Sequence, residues 1–216
     1  MSASAPAVGL RERHKQQRRV RILEAIRELL RERPDETPTV GRIAELADLS
    51  PATVFNLVGA RERQWAALSD ALLDELDACL AFAADKDPRE QARRIVGETA
   101  ELLIADAAVC KHLVNRWGHS GLLLQENPVP QLRAALRRGQ ASGMLRPDLH
   151  VEALVGHIAT AAGGALRQWA AGEVSDATFR KRVRFAVDVV FAASASPDAA
   201  MELHAPLQRS SRPRAR

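Results

Sequence analysis

The chain has 216 residues, which is enough for one large domain, or for a small domain and a larger one that each have a core. Hydrophobic residues make up 46% of it, yet only 4% are aromatic and there is no tyrosine. Ala, Leu, Arg and Glu dominate, and β-branched residues do not gather in alternating runs. This composition predicts an all-α fold, which we expect to contain about nine helices.

The cysteine pattern and the hydropathy pattern exclude several classes of protein. Cys79 and Cys110 stand alone, which is typical of buried thiols in a reducing cytosol and not of a disulfide framework. No apolar run reaches 18 residues, and the start of the chain, MSASAPAVGL, is too short and polar for a signal peptide. We therefore expect a cytoplasmic protein with no membrane partner.

The charge is unevenly distributed along the chain. Residues 1–65 carry 12 Lys/Arg against 9 Asp/Glu, whereas residues 66–205 carry 15 against 18. The end of the chain, residues 206–216, has four arginines and no acid. A basic N-terminal block suits an anionic partner such as nucleic acid, although a solvated helix face would explain the same excess.

The first 65 residues predict a disordered basic arm over 1–17, followed by three helices. The first helix begins at Arg18 and ends before Pro34, and Thr39 is placed to cap the second. Ser50 and Pro51 form a strong start signal for the third helix, which we expect to end near Val58. The apolar residues at helical spacing in the first two helices are Ile22, Leu23, Ile26, Leu29, Leu30, Val40, Ile43, Ala44 and Ala47.

The rest of the chain predicts longer helices. We expect helices at about 61–84, 130–142, 149–171 and 175–195, and further helical structure between a hinge at 85–90 and a loop at 118–130. Residues 196–216 are expected to form a flexible basic tail. Asp106 falls on the apolar stripe beyond the hinge. It is either a buried acid facing a ligand or, as we favour, the N-cap of a new helix.

The second and third helices have the properties of a helix-turn-helix. That motif needs small residues where its helices cross and a second helix that is free to enter the major groove of DNA. Ala44 and Ala47 are small, and Asp48 lies in the turn, where aspartate tolerates left-handed backbone geometry. Ser50 and Pro51 leave the first amides of the third helix facing outward, which makes a natural phosphate site.

The segment 39-TVGRIAELADLSPATVFNLVGARE-62 resembles the N-terminal pattern of the TetR/AcrR family of transcriptional regulators. The preceding helix, together with 143-GMLRPD-148 and 169-WAAG-172, is also similar to that family. The resemblance implies a helix-turn-helix DNA-binding domain over 18–65 and a helical ligand-binding and dimerisation domain over 66–195. The outright matches in the N-terminal pattern are Thr39, Val40, Ile43, Ala44, Ala47, Ser50, Thr53 and Glu62, and Arg61 stands in for a lysine.

Three positions depart from the family pattern. Phe55 replaces a tyrosine and Leu57 replaces a histidine or tyrosine, so both lack the donors that contact phosphates in the family. Val58 replaces a phenylalanine of the core. We expect Val58, and with it Phe55, to point inward or sideways. Leu57 either touches a thymine methyl group or marks weakened DNA binding.

The resemblance and the side-chain chemistry together select the DNA-binding candidates. Arg18 and Arg19 are placed to hold the DNA backbone or to extend an arm into the minor groove, unless the basic segment 11–21 is only a solvated leader. Arg42 can reach a phosphate or a guanine, and Asn56 can pair with adenine or with a phosphate. The full set is Arg18, Arg19, Thr39, Arg42, Ser50, Pro51, Ala52, Thr53, Asn56 and Arg61.

By resemblance, the last two long helices pair with their copies in a homodimer. A Gly163-Gly164 pair in the middle of a helix costs about 1 kcal/mol per glycine relative to alanine, a cost tolerated where another backbone approaches closely. An intramolecular core alone would also explain these apolar stripes. The dimer candidates are Leu154, Ile158, Ala161, Gly163, Gly164, Trp169, Phe179, Val183, Val187 and Val190.

The same resemblance implies a pocket for a small-molecule effector of unknown identity among the helices from about 61 to 142. Plain core packing is the alternative for each candidate. His112 and His119, like His150 and His157, are seven residues apart without acidic or cysteine partners close by, so we expect no metal site and no cofactor. The ligand candidates are Leu102, Leu103, Cys110, Leu113, Val114, Trp117, Gln140 and His157.

These patterns favour a homodimeric repressor that binds double-stranded DNA at a palindromic operator and responds to an effector. The alternative is a TetR-like ligand-binding or interaction protein whose DNA binding is weakened or lost. An enzyme is not expected, because the sequence shows no nucleophile–base pair, phosphate-binding loop or metal-ligand spacing.

Overall fold

The computed structural model describes residues 9–81, 87–117 and 129–210, and in this part of the chain it shows ten helices and no strand. The chain divides into two compact units, with the boundary between Ala71 and Leu72. The helices are α1 Leu10–Glu32, α2 Val40–Leu46, α3 Pro51–Val58, α4 Arg61–Leu80, α5 Pro88–Ala105, α6 Ala107–Trp117, α7 Val129–Ala141, α8 Val151–Ala170, α9 Asp176–Ala193 and α10 Ala200–Ser210. The predicted all-α fold is confirmed.

The first unit is built on α1, α2 and α3, which pack on one another around a small aliphatic core. Each helix buries one stripe and leaves the opposite face in solvent, as the 3.6-residue period requires. Burying a side chain of this size stabilises the fold by about 1.5–3 kcal/mol. The buried residues are Ile22, Ala25, Ile26 and Leu30 of α1, Ile43 and Ala44 of α2, Ala47 of the turn, and Val54 and Val58 of α3.

Side-chain caps and one left-handed residue form the turn between α2 and α3. The Thr39 hydroxyl accepts from the Arg42 amide at 3.3 Å, and the Ser50 hydroxyl accepts from the Thr53 amide at 3.1 Å. Both predicted caps are therefore confirmed. Asp48 has φ of 51°, so it adopts the left-handed conformation that the sequence predicts for this position.

Gly59 ends α3 with φ of 75°, and here glycine is required. A Cβ atom at this position would lie 2.6 Å from the Cδ of Arg63, and the left-handed backbone disfavours any other residue. The chain then turns directly into α4, where the Gln64 side-chain amide donates to the Gly59 carbonyl at 3.1 Å.

The second unit is a bundle in which α9 packs against α8 and α5, and α7 packs against α5 and α8. Trp169 of α8 stacks on Phe179 of α9 with ring centroids 5.2 Å apart, and both rings are buried. Helix α6 packs on α8, where the Asn115 amide donates to the Ala170 carbonyl at 2.8 Å. The Lys111 ammonium lies 4.8 Å from the centroid of the Trp169 ring.

A charged cluster is buried between α5 and α9. The Asp188 carboxylate lies 3.3 Å from Arg89 Nε and 3.4 Å from Arg93 Nε. The Asp188 and Arg89 side chains are buried, whereas Glu90, which also contacts Arg93 at 2.9 Å, is half exposed. Taking these charges out of water costs free energy, so their mutual attraction has to offset their desolvation.

Two bidentate ion pairs on the surface join further helices of this bundle. Arg180 of α9 holds Glu101 of α5 at 2.7 and 2.9 Å, and Arg133 of α7 holds Glu152 of α8 at 2.6 and 2.9 Å. Hydrogen bonds from these arginines lower the pKa of Glu101 and of Glu152, against an opposing effect of desolvation. Because both carboxyl pKa values are lowered, the pairs stabilise the fold at neutral pH, and that contribution is lost as the pH falls through the acid range.

The turn after α7 pairs with the end of α9. The Arg146 amide donates to the Ser194 carbonyl at 2.9 Å, and the Ser196 amide donates to the Met144 carbonyl at 3.0 Å. The Gln140 side-chain amide donates to the carbonyls of Arg146 and Leu149, both at 2.9 Å. This turn is therefore held from both sides.

The structure differs from the sequence-based expectations at the two ends of the chain. Helix α1 begins at Leu10, so residues 10–17 are helical where a disordered arm is predicted, because they contain good helix formers and neither Gly nor Pro. Helix α10 covers residues 200–210 of the predicted flexible tail. Its Leu203 is buried, and a ring nitrogen of His204 lies 3.0 Å from the Ala192 carbonyl of α9.

Other helix boundaries agree with the predictions to within a few residues. Asp106 lies between α5 and α6, and its carbonyl accepts from the Cys110 amide at 3.0 Å. Of the predicted hinge at 85–90, residues 85 and 86 lie outside the described residues, Asp87 caps α5 and residues 88–90 already belong to that helix, whereas most of the loop at 118–130 lies outside them. Among the residues that are described, no helix is both long and apolar enough to cross a membrane. No group of three or more potential metal ligands occurs in the same residues.

Candidate functional site

Helix α3 exposes one continuous stripe to solvent. Ala52, Phe55 and Asn56 lie on it at the i, i+3 and i+4 positions, and all three are exposed. The opposite face, Val54 and Val58, is buried in the core of the first unit. We call Ala52, Phe55 and Asn56 the α3 stripe, and it is the surface of the helix-turn-helix that is free to meet a partner.

The position of Phe55 differs from the sequence-based expectation that this side chain points inward or sideways. Val58 points inward as predicted, with 5% of its surface exposed, but Phe55 is 57% exposed. The reason is geometric, because Val54 and Val58 are four residues apart and already occupy the inward face, and residue 55 is rotated by about 100° from Val54. Leu57 lies half-buried beside this face.

The start of α3 presents hydroxyl groups and one backbone donor. Ser50 and Pro51 are exposed, and the Ser50 and Thr53 hydroxyl groups lie 2.8 Å apart. Pro51 has no N–H, and the Thr53 and Val54 amides donate to the Ser50 hydroxyl and carbonyl, so Ala52 keeps the open amide at this end, which the helix dipole makes attractive to anions. The predicted phosphate-binding end of α3 is therefore open to solvent.

The predicted basic residues lie on three other helices of the first unit. Arg18 on α1, Arg42 on α2 and Arg61 at the start of α4 are exposed, and Arg19 is half-buried. Arg42 Nη1 lies 2.9 Å from Glu45 Oε2, but both side chains are exposed, and such pairs contribute about 0–1 kcal/mol. Thr39 is exposed as well, although its hydroxyl is used as the cap of α2.

Arg21 belongs to this surface and was not among the sequence-based candidates. Its Nη2 donates to the Ala47 carbonyl and lies 3.4 Å from Asp48 Oδ2, so it joins α1 to the turn before α3. The contact places the last residue of the basic segment 11–21 next to the helix-turn-helix. A single arginine within a basic run gives no sequence signal that would distinguish it from its neighbours.

A second candidate surface lies on α8 and α9. An open apolar groove there includes four of the predicted dimer residues, together with Phe185 and Val189, which the sequence-based set missed. Phe185 is 44% exposed and Val189 is 40% exposed, which is unusual for such large apolar side chains on adjacent turns of one helix. The four predicted residues in the groove are Leu154, Ala161, Gly164 and Val190.

The remaining predicted dimer residues lie in the core of this chain. Trp169, for example, is stacked on Phe179, and its indole N–H donates to Asp176 Oδ1 at 2.7 Å. These residues are not available to a second copy, because α8 packs against α9 through one stripe of each helix. The neighbouring stripe of each helix stays in solvent. The residues that the structure buries within the chain are Ile158, Gly163, Trp169, Phe179, Val183 and Val187.

The interior of the second unit contains a small apolar cavity among α5, α7, α8 and α9. Thr99 lies in its wall with ten apolar residues, among them Leu103, Ile158 and Phe179. The Thr99 hydroxyl donates to the Ile95 carbonyl at 2.8 Å. About 20 Å³ is available to the centre of a water molecule, so the cavity in this conformation has room for about one water.

Of the predicted ligand contacts, Leu103 lines this cavity, and the others lie elsewhere. Gln140 holds the turn after α7, and His157 lies in the α8–α9 groove. The Trp117 side chain lies outside the described residues. Leu102 is half-buried on α5, and Cys110, Leu113 and Val114 are buried on α6, away from the residues that line the cavity. Helical spacing predicts which residues share a face of a helix, but it does not predict which face lines a cavity.

The sequence matches no protein-family model and no curated protein sequence. Solved structures do match the fold. A protein called RolR, solved in complex with resorcinol, has a TM-score of 0.65 and 18% identity over 95% of this chain and 98% of its own. A TetR transcriptional regulator from Agrobacterium tumefaciens has a TM-score of 0.61 and 18% identity, over 89% of this chain and 99% of its own.

TylP, a TetR regulator from Streptomyces fradiae, matches with a TM-score of 0.59 and 20% identity, over 90% of this chain and 94% of its own. The similarity therefore extends over both units and is not limited to the helix-turn-helix. The chain has the fold of the TetR-family transcriptional regulators.

Proposed function

We propose that this chain is a ligand-responsive transcriptional regulator that binds double-stranded DNA through α3. The observation that carries the proposal is the exposed α3 stripe, presented beside an exposed helix start, with Arg18, Arg42 and Arg61 exposed on α1, α2 and α4. A capped helix that buries only one face and carries basic residues on its neighbours has the properties required to enter a major groove.

The α8–α9 groove supports a homodimer. Among the described residues, a Cβ atom on Gly164 would meet nothing within 4 Å, so none of them explains a glycine in mid-helix, and a second copy would. A second copy would cover Phe185 and Val189. A twofold dimer would direct two α3 helices to half-sites about 34–36 Å apart on a palindromic operator, where it would act as a repressor.

The cavity supports effector binding in the second unit. Its wall is almost entirely apolar, which is typical of sites for small organic molecules, and RolR was solved with resorcinol. An effector has to enlarge the cavity of this conformation to enter it. It would change DNA binding only through its different affinities for the form that binds DNA and the form that does not.

The test is a gel-shift series with DNA from upstream of the protein's own gene, at salt concentrations from low to physiological. We expect sequence-selective binding that weakens steeply with salt, because phosphate contacts release counterions. Asn56→Ala and Arg42→Ala should each weaken binding by about tenfold or more. Arg146→Ala is the matched control, since Arg146 is also exposed and paired at 3.3 Å with an acid, Asp148, but lies in the second unit.

A second candidate function is a ligand-binding or interaction protein without DNA binding. The observation that favours it is the lack of a phosphate donor at Phe55 and Leu57, where the family pattern has one. The same gel-shift series separates the two. Absence of any salt-sensitive, sequence-selective complex would reject the regulator and leave this alternative.

A further inference from the structure

The α3 stripe has an unusual chemical composition for a surface that meets DNA. It offers one amide, on Asn56, and two apolar groups, the Phe55 ring and the Ala52 methyl group. The helix PATVFNLV contains no Arg, Lys, Asp or Glu. Phe55 is among the most exposed large apolar side chains of the first unit, and the core leaves it no inward position.

Each base pair presents a different pattern in the major groove. Guanine is recognised by Arg or Lys, and cytosine by an acid, neither of which α3 carries. Adenine is recognised by Asn or Gln, and the thymine methyl group by apolar side chains such as Ala and Phe. The stripe therefore matches adenine and thymine, and it offers no strong contact to a G·C pair.

The charge around the stripe favours DNA as its partner over a second copy of the chain. Residues 11–21 carry six Lys/Arg against one acid, and Arg21, the last of these basic residues, donates to the Ala47 carbonyl in the turn before α3. Two such basic faces would repel one another, whereas a polyanion would be attracted. An exposed ring within a basic surface is thus placed to meet a phosphate-lined groove.

We propose that Phe55 and Ala52 contact thymine methyl groups and that Asn56 pairs with adenine. The base pairs facing α3 in each operator half-site are then A·T. This inference rests on the proposed function. It adds to that function the base composition of the operator half-site, and it makes Phe55 a specificity-determining residue. It also gives a role to the residue that replaces the family's tyrosine.

The experiment begins with selection of binding sites by the full-length protein from random duplex DNA. Single thymines of the selected half-site are then replaced by deoxyuridine, which removes only the 5-methyl group. We expect a three- to fivefold loss of affinity at each contacted thymine, about the effect of one buried methyl group. Phe55→Ala should abolish that loss at its own thymine, whereas Phe55→Tyr, which keeps the ring, should retain it.

The control is Leu46→Ala, which removes another exposed apolar side chain of the same unit, on α2, and should leave the uracil effect unchanged. Selective binding with no sensitivity to uracil, or selected half-sites with G·C pairs at the centre, would overturn this inference alone. No selective binding would overturn the proposed function as well. A change in oligomeric state of the DNA-free Phe55→Ala protein would assign the ring to contact between copies and overturn the inference too.

Discussion

Asp48 holds a position that few residues tolerate. Its φ of 51° is left-handed, and its carboxylate lies 3.4 Å from Arg21, which also donates to the neighbouring Ala47 carbonyl. A left-handed conformation is strained for most L-residues, but a short polar side chain lowers the cost. Asp48 thus fixes the direction in which the chain enters α3, and with it the face that α3 exposes.

We expect Asp48→Ala to be less stable than Asp48→Gly by about 1 kcal/mol, because alanine gains nothing to offset the left-handed strain and glycine has none. Asp48→Asn should be close to the natural protein. Urea unfolding followed by circular dichroism measures these differences. Equal free energies of unfolding for the Ala and Gly variants would show that the turn relaxes to another conformation.

Residue-scale predictions from sequence succeeded where the cause is local. The caps at Thr39 and Ser50 and the left-handed Asp48 depend on a few adjacent residues, so the sequence contains the whole signal. The prediction that Phe55 points inward or sideways was wrong, because the position of this side chain depends on which of two neighbouring apolar stripes fills the core. Only the packing of α3 against α1 and α2 decides that.

At the scale of helices, α9 presents three different surfaces. One packs on α8 through Phe179 and Val183, one presents Asp188 to α5, and one leaves Phe185 and Val189 in solvent. The charged surface is the most sensitive to change. Arg89 and Arg93 approach Asp188 from adjacent turns of α5, so one buried carboxylate faces two guanidinium groups, of which Arg93 also pairs with the half-exposed Glu90.

Asp188→Asn should lower the free energy of unfolding by about 3–5 kcal/mol, because it leaves buried positive charge without a partner. Glu90→Gln is the control, since Glu90 contacts Arg93 at 2.9 Å but is half exposed, and we expect a loss of less than about 1 kcal/mol. Urea unfolding of both variants provides the comparison. Similar losses for the two would mean that solvent reaches the cluster and compensates Asp188.

The number and approximate bounds of the long helices could be predicted, because amphipathic periodicity extends over several turns. The ends of the chain could not. Residues 10–17 carry no apolar stripe, and residues 200–210 look like a tail in composition, so their helices were not expected. Helix α10 is held by the contacts of Leu203 and His204 with the rest of the unit, which no local pattern encodes.

At the scale of the whole molecule, the α8–α9 groove is the surface through which the proposed dimer would bring two α3 helices to one operator. A monomer would engage one half-site, whereas a dimer gains the second half-site as an intramolecular event. The sequence predicts the helices of this surface, but six of the ten predicted dimer residues belong to the buried stripes of these helices. The apolar pattern of each helix is broad enough to serve both an internal and an external partner.

Phe185→Glu should convert the dimer to monomers, because it places a charge at the centre of the apolar groove. Analytical ultracentrifugation measures the change, and DNA affinity should fall with it although α3 is untouched. Met201→Glu is the control, as Met201 is 88% exposed on α10, outside the groove. Unchanged sedimentation of the Phe185→Glu protein would place the dimer contact elsewhere.

The pairing of Met144 and Arg146 with Ser194 and Ser196 has a consequence for how the protein is made. The ribosome adds about 5–20 residues per second, so the turn after α7 emerges several seconds before its partners exist. During that interval the turn has only its local hydrogen bonds, such as those of the Gln140 side chain and that of the Leu145 amide to the Gly139 carbonyl at 3.0 Å, and lacks its pairing with the end of α9. The bundle can therefore close only near the end of synthesis, and a nascent chain stopped before Ser194 carries an unfinished second unit.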